Sequence, residues 1–180
     1  DDLRKLFTGK DLVYIYHNSI DARGDHYPTE REVFEAVEET FDQLKILINT
    51  LVNHLTATNI YIVSDHGFIY KRGTVAQSEK TSKDKLHDSY ENRRFILTDK
   101  VEPIDGTTMF NMDYILGPDT NLKCITPKGV NRFEMKGAGN NYVHGGSSLQ
   151  EVVLPVIRFK NERGKTAKDV QKVKVTLTSL

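Results

Sequence analysis

The chain has 180 residues, with 25 Lys and Arg balanced by 25 Asp and Glu. That balance leaves no net field to draw in nucleic acid or an anionic membrane, so any nucleic-acid contact would rest on a local basic patch. A single cysteine, Cys124, excludes an internal disulfide and fits a reducing cytoplasm, no apolar run reaches membrane-spanning length, and the chain is long enough for one domain, or most of one, with its own core. It opens on Asp1-Asp2-Leu3-Arg4-Lys5 without an initiator methionine or signal peptide, and the expectation is an excised piece of a longer protein.

Residues 12–16, Leu-Val-Tyr-Ile-Tyr, predict a buried strand. A polar loop follows from His17 to Pro28, with Gly24 and Pro28 as breakers. Thr29 opens a helix, and Glu32 completes a capping box. Val33, Val37, Phe41, Leu44, Ile48, Leu51 and Leu55 recur at alternating steps of four and three, a continuous stripe that predicts a helix to about Leu55. Glu30, Glu35, Glu38, Glu39 and Asp42 sit mostly in its first half, where the helix dipole favours them, and read as a solvated face. Ile60-Tyr61-Ile62-Val63 has no polar face and predicts a strand buried on both sides, as in a parallel sheet covered by helices. Strand, loop, helix and strand make a right-handed βαβ unit. Asp65 and His66 then stand at the carboxyl end of the strand, where open α/β sheets bind ligands.

From Phe68 onward the pattern shortens. Strand candidates at 94–97, 109–116, 122–125 and 130–135, separated by turns at Pro103–Gly106, Gly117–Asp119 and Pro127–Gly129, predict a β-rich insertion over residues 69–142. His144-Gly145-Gly146 follows, then Ser147 or Ser148 as the cap of one helical turn, and a strand whose start or edge is marked by Pro155. The alternating tail Val170–Leu177 marks residues 161–180 as a tail or the start of a further β segment.

Three stretches carry chemistry: Asp21 through His26, Asp65-His66, and His144. The first two each follow a predicted strand of the βαβ unit and so share one sheet edge, onto which the glycine-rich His144 loop can fold. Carboxylates and imidazoles gathered there would repel or stay uncompensated without a cation, which points to a divalent metal site.

The residues also resemble a family. Tyr16-His17-Asn18-Ser19-Ile20-Asp21-Ala22-Arg23-Gly24-Asp25, Thr29-Glu30, Val33-Phe34-Glu35-Ala36, Ser64-Asp65-His66-Gly67-Phe68, Arg93-Arg94 and His144-Gly145-Gly146-Ser147-Ser148-Leu149-Gln150-Glu151 are together similar to the PglZ family of the alkaline phosphatase superfamily. That family belongs to bacterial phage-resistance systems of the phage growth limitation and BREX types. The resemblance covers residues 12–157. It implies an alkaline-phosphatase-like α/β fold, a parallel sheet flanked by helices, of which residues 1–160 are the C-terminal part. It also implies a cytoplasmic, metal-dependent hydrolase of phosphate esters or phosphodiesters.

Two divalent ions about 4 Å apart would clamp a phosphoryl group. Asp21, Asp25 and His144 would hold one, with His26 as the alternative to Asp25. Asp65 and His66 would supply half of the other. Asp25 stands where the superfamily usually has a histidine; an oxygen there tilts the site from zinc toward manganese or magnesium, whereas His26 would keep zinc plausible. The superfamily's nucleophile and its companion Asp precede this region, and nothing before Leu12 can stand for them, so the chain should hold a partial site and be inert alone. Arg93 and Arg94 are candidate phosphate-binding residues, against a reading as a solvated strand start. His17 and Asn18 are candidates for orienting the ligands from behind. His54 and His87 read as surface residues, and Tyr61, Tyr70 and Tyr142 as packing residues. The alternative function is a non-catalytic binding or scaffolding module that contacts other defence components, such as a DNA methyltransferase. The sequence fixes neither substrate nor ion.

Overall fold

The structure is a computed structural model and describes residues 2–83, 89–100, 103–137, 139 and 141–162. Helix α1, Asp2–Phe7, is tethered by the Arg4 guanidinium, which donates to the His54 carbonyl at 3.1 Å. Residues 12–16 are extended but unpaired and solvent-exposed, Tyr16 at 92%. The expected first strand is therefore absent: a run of β-prone side chains becomes a strand only when a neighbouring backbone pairs with it.

Helix α2, Ser19–Gly24, rises out of the expected polar loop, with Asn18 as its N-cap residue and Asp25 as its C-cap residue. It packs against helix α3, Val33–Asn53, and an exposed Arg23–Glu39 ion pair of 2.6 Å joins the two. Thr29 does not close the expected capping box; its hydroxyl donates to the Arg23 carbonyl at 2.9 Å, and a 3-10 turn, Glu30–Glu32, intervenes before α3. The buried positions of α3 are Val33, Ala36, Thr40 and Leu51. They match the predicted stripe at its two ends and leave Phe41, in its middle, 52% exposed.

Strand β1, Asn59–Val63, forms where the apolar run predicted it, but its environment differs. It pairs antiparallel with strand β10, Val156–Lys160, in a two-stranded ribbon, with Tyr61 58% and Val63 65% exposed. The flanked parallel sheet is not present among the described residues. The apolar run meant strand, not a covered centre of a sheet.

Between them lie strands β2 (Ile69–Tyr70), β3 (Lys80–Thr81), β4 (Tyr90–Glu91), β5 (Ile96–Thr98), β6 (Thr107–Asn111), β7 (Lys123–Pro127), β8 (Arg132–Phe133) and β9 (Tyr142–Val143). β4, β5, β7 and β6 form an antiparallel four-stranded sheet in that order. Ile96, Ile125 and Phe133 are its buried core, with Ile104 packed against them. The β3–β8 pair is parallel and the β2–β9 pair antiparallel. The candidate strand over 109–116 splits, because Met112 ends β6 and caps helix α4, Asp113–Leu116. Helix α5, Leu149–Val152, is the single turn capped by Ser148, and Pro155 directly precedes β10. Val170–Leu177 and His87 lie outside the described residues.

A buried ion pair joins this sheet to α5. The side chains of Arg94 and Glu151 are 0% and 1% exposed and face each other in a bidentate pair, Nε to Oε1 at 2.8 Å and Nη2 to Oε2 at 2.7 Å. The carbonyls of Asn131 and Gly129 accept from two further Arg94 donors. Burial alone would raise the Glu151 carboxyl, but the hydrogen bonds from Arg94, the Ser148 hydroxyl and the Gly146 N–H hold it below the usual carboxylate range. A carboxyl lowered by folding stabilises above its unfolded value and loses that contribution as pH falls through the folded one. Arg94→Ala strips the partner from a buried carboxylate and is expected to cost about 3–5 kcal/mol at neutral pH in urea denaturation. The Glu151 carboxyl then rises instead, so the gap to the wild-type chain should narrow as the pH is lowered from 7 toward about 4.

Candidate metal centre

Of the carboxylate and imidazole residues singled out from sequence, Asp21, Asp65 and His66 come together, and an Asp25–His144 pair adjoins them through His66. Asp21 sits in α2 and Asp25 at its end, one helical turn on, with the Asp25 N–H donating to the Asp21 carbonyl at 2.9 Å. That spacing puts both carboxylates on one face of α2. Asp65 and His66 follow β1. Ligand atoms of Asp21, Asp65 and His66 all lie within 4.8 Å of one another. His66 Nε2 is 3.6 Å from Asp21 Oδ2 and 3.9 Å from Asp65 Oδ2. Its Nδ1 stands 3.2 Å from the Gly67 carbonyl. A carbonyl only accepts, so Nδ1 is the donor in that contact, and Nε2 is the ring nitrogen that faces the cluster.

His144 closes the set from the strand β9 side. Its ring stacks on His66 with centroids 4.1 Å apart and planes within 3°, and its Nε2 lies 3.1 and 3.3 Å from the two Asp25 oxygens. Between the alternatives at the end of α2, Asp25 is the residue that meets His144, and His26 is exposed to solvent. Among the described residues, the ion-pair partners of Asp21, Asp25 and Asp65 are histidines, with no lysine or arginine. Three carboxylates without a fixed cation, beside two imidazoles, form a donor set that fits a divalent ion. Asp65 and Asp25 are open to solvent, while Asp21, His66 and His144 are half-buried, so an ion has a path in.

The loops that carry these ligands are seated by contacts the sequence motifs do not announce. Gly67 N–H donates to the Glu151 carbonyl at 2.9 Å, and a Cβ on Gly67 would stand 2.0 Å from the Gln150 carbonyl oxygen. The glycine after His66 is thus required by the backbone of α5. Gly146 lies directly over the Arg94–Glu151 pair, where a Cβ would meet both side chains at under 3 Å. Tyr142, two residues before His144 and on the same face of the chain, donates its hydroxyl to Asp21 Oδ1 and packs its ring on Phe68 at 4.8 Å. Burial, then the Asp21 carboxylate, push the Tyr142 hydroxyl well above its ordinary range, so it stays a donor.

Glu30, expected on a solvated face, is 2% exposed, and its Oε2 accepts from the Asn141 and Tyr142 N–H groups at 3.2 and 3.4 Å. Nothing in a Thr-Glu dipeptide at a helix start separates a buried carboxylate from a solvated one. The Ser148-Leu149-Gln150-Glu151 spacing, by contrast, does mark Glu151 as a capping carboxylate.

The remaining candidates stand elsewhere. Arg94 is consumed by Glu151 and two carbonyls, which gives it a structural duty. Arg93 is half-buried; burial lowers its guanidinium and the Glu30 charge opposes that shift. His17 Nε2 contacts Gln43 Oε1 at 2.5 Å, on α3. Asn18 acts through its carbonyl, which accepts the Ala22 N–H at 3.0 Å in the helix that bears Asp21. His54 ends α3 as a surface residue, and Cys124 is an interior residue of β7 whose thiol burial pushes up.

The chain is a mixed α/β domain with carboxylates and imidazoles gathered at the ends of a strand, a helix and a His-Gly-Gly loop. The chain belongs to the PglZ family: residues 1–159 match the model of the BREX system PglZ alkaline phosphatase-like domain. It is 53% identical over 178 residues to the "Alkaline phosphatase-like protein PglZ" of Bacillus cereus (strain H3081.97), covering 98% of this chain and 21% of that protein. It is 35% identical over 159 residues to the "Alkaline phosphatase-like protein BrxZ" of Escherichia coli O9:H4 (strain HS), covering 87% of this chain and 18% of that protein. The chain thus spans about a fifth of the length of these relatives. No solved structure matches it. No helix among the described residues is long and apolar enough to cross a membrane.

The seating of the Asp65-His66-Gly67 turn is directly testable. Gly67→Ala forces the turn off α5 and is expected to cost about 1–3 kcal/mol or more in a denaturation midpoint measurement.

Proposed function

We propose that this chain contributes metal-ligand residues to a divalent-metal phosphohydrolase centre, acting on a phosphate ester or phosphodiester within a bacterial phage-defence complex. The observation that carries the reading is the convergence of Asp21, Asp25, Asp65, His66 and His144, from three stretches far apart in the chain, with no arginine or lysine balancing the carboxylates among the described residues.

In this reading Asp21 and Asp25, on one face of α2, and His144 bind one ion, with Asp65 and His66 giving half of a second set. The ions supply charge stabilisation to a phosphoryl oxygen and to the attacking group. The chain's own residues do the positioning: the Gly67 carbonyl engages His66 Nδ1 and turns Nε2 to the cluster, and the stack on His66 orients the His144 ring. The nucleophile and its companion carboxylate belong to another part of a longer polypeptide, so the 180 residues alone are inactive. The oxygen-rich donor set favours manganese or magnesium over zinc. The protein works in the cytoplasm beside other components of its system, a DNA methyltransferase among the candidates.

The test is a phosphodiesterase assay of the full-length protein with manganese, alongside metal analysis. Asp65→Ala is expected to lower metal-dependent activity by more than about 100-fold, beyond what loss of a group behind a ligand costs. Defence activity that persists in a protein without bound metal would overturn the reading and leave a scaffolding role.

A further inference from the structure

Tyr142 was expected only to pack, and its ring does so, yet the hydroxyl reaches further. It donates to Oδ1 of Asp21, while Oδ2 of the same carboxylate is the oxygen that faces His66 Nε2 at 3.6 Å. We propose that Tyr142 is a positioning residue for Asp21: its hydroxyl engages one carboxylate oxygen and so presents the other to the ion. The proposal rests on the metal reading above.

Three further contacts make the phenol a fixed reference point. The Glu30 carboxylate accepts the Asn141 and Tyr142 N–H groups, bolting β9 to the turn that leads from α2 into α3. Phe68, two residues beyond His66, packs on the ring at 4.8 Å, and the ring edge meets His144 at a centroid distance of 5.9 Å. Gly24, in the helix that bears Asp21, leaves the ring its place: a Cβ there would stand 2.6 Å from the Tyr142 ring. One side chain therefore touches all three ligand-bearing stretches, and its hydroxyl alone contacts a ligand atom. A carboxylate free to rotate would offer either oxygen or both; one held by a neutral donor presents a single oxygen at a fixed angle. Removing such an orienting donor typically costs about 10–100-fold in metal affinity.

The experiment compares manganese binding to the full-length protein and its Tyr142→Phe variant by calorimetry. The ring and its packing persist in that variant and only the hydroxyl is lost. The expected result is about 10–100-fold weaker binding, with unfolding of the metal-free variant close to wild type. The same substitution made on an Asp21→Ala background should change residual manganese binding by less than about twofold, because the hydroxyl's target is gone. A general packing defect would instead weaken both backgrounds equally, and that outcome overturns the proposal. So does a Tyr142→Phe protein that binds manganese within about twofold of wild type. Should that variant not fold, Gly24→Ala decides, since it keeps the hydroxyl but displaces the ring: unchanged affinity overturns the proposal and weakened affinity supports it. A wild-type protein that binds no manganese, magnesium or zinc fails one step earlier, at the metal reading itself.

Discussion

Glu151 is the residue on which the geometry of the site depends. Its carboxylate accepts two hydrogen bonds from Arg94, one from the Gly146 N–H and two from Ser148, and its carbonyl accepts the Gly67 N–H. Those bonds reach the β-rich sheet, the His-Gly-Gly loop and the turn after β1. A carboxylate without solvent around it is stable only when every lone pair is used, and here it is. The consequence is stiffness where stiffness matters: His66 and His144 stand one residue and two residues from groups bonded to Glu151, the first to its carbonyl and the second to its carboxylate. Glu30 performs the matching task on the other flank, joining β9 to the chain just after α2.

The two flanks divide the molecule's charges into different kinds. Glu151 and Arg94 neutralise each other in the interior, with the Ser148 hydroxyl and four main-chain groups completing the network. Asp21, Asp25 and Asp65 face each other toward solvent with imidazoles as their ionic neighbours. One carboxylate is satisfied inside by an arginine, while three stand at one rim beside imidazoles, the contrast on which the proposed metal reading draws. The exposed apolar residues of the β1–β10 ribbon and of residues 12–16 have no comparable local compensation among the described residues.

How much of this was legible follows from how far each signal reaches along the chain. Asp65 and His66 were legible because a β-branched run ends at them, and His144 because two glycines follow it; both are local patterns. Asp21 and Asp25 were legible from spacing, although the sequence suggested a loop and the chain forms a helix. Three strands of the four-stranded sheet, β5, β6 and β7, were legible as strand and turn alternation, but β4 had no candidate and the 109–116 candidate ran on into α4. What was not legible is pairing. Residues 12–16 and Ile60–Val63 are both runs of aliphatic and tyrosine residues, yet only the second finds a partner strand, and no property of either run decides that. Glu30, Arg94 and Tyr142 were read as solvated, substrate-facing or merely packed, because a side chain's partner more than a hundred, or even fifty, positions away leaves no mark on its neighbours in sequence.

The end of α2 shows how a helix can choose a ligand that composition leaves open. Asp25 and His26 are adjacent, and either type suits a divalent ion. On a helix, each residue turns about 100°, so Asp25 returns to within about 40° of Asp21 while His26 lies about 140° away. Asn18 sets that phase by accepting the Ala22 N–H, and the Asp25 N–H continues it by donating to Asp21. Once the phase is fixed, Asp25 must share the face of Asp21 and meet His144, and His26 must face solvent. Helical geometry thus turns the Asp25 oxygens, rather than the His26 nitrogens, toward His144. On the proposed reading that choice hardens the donor set and moves its preference toward manganese or magnesium.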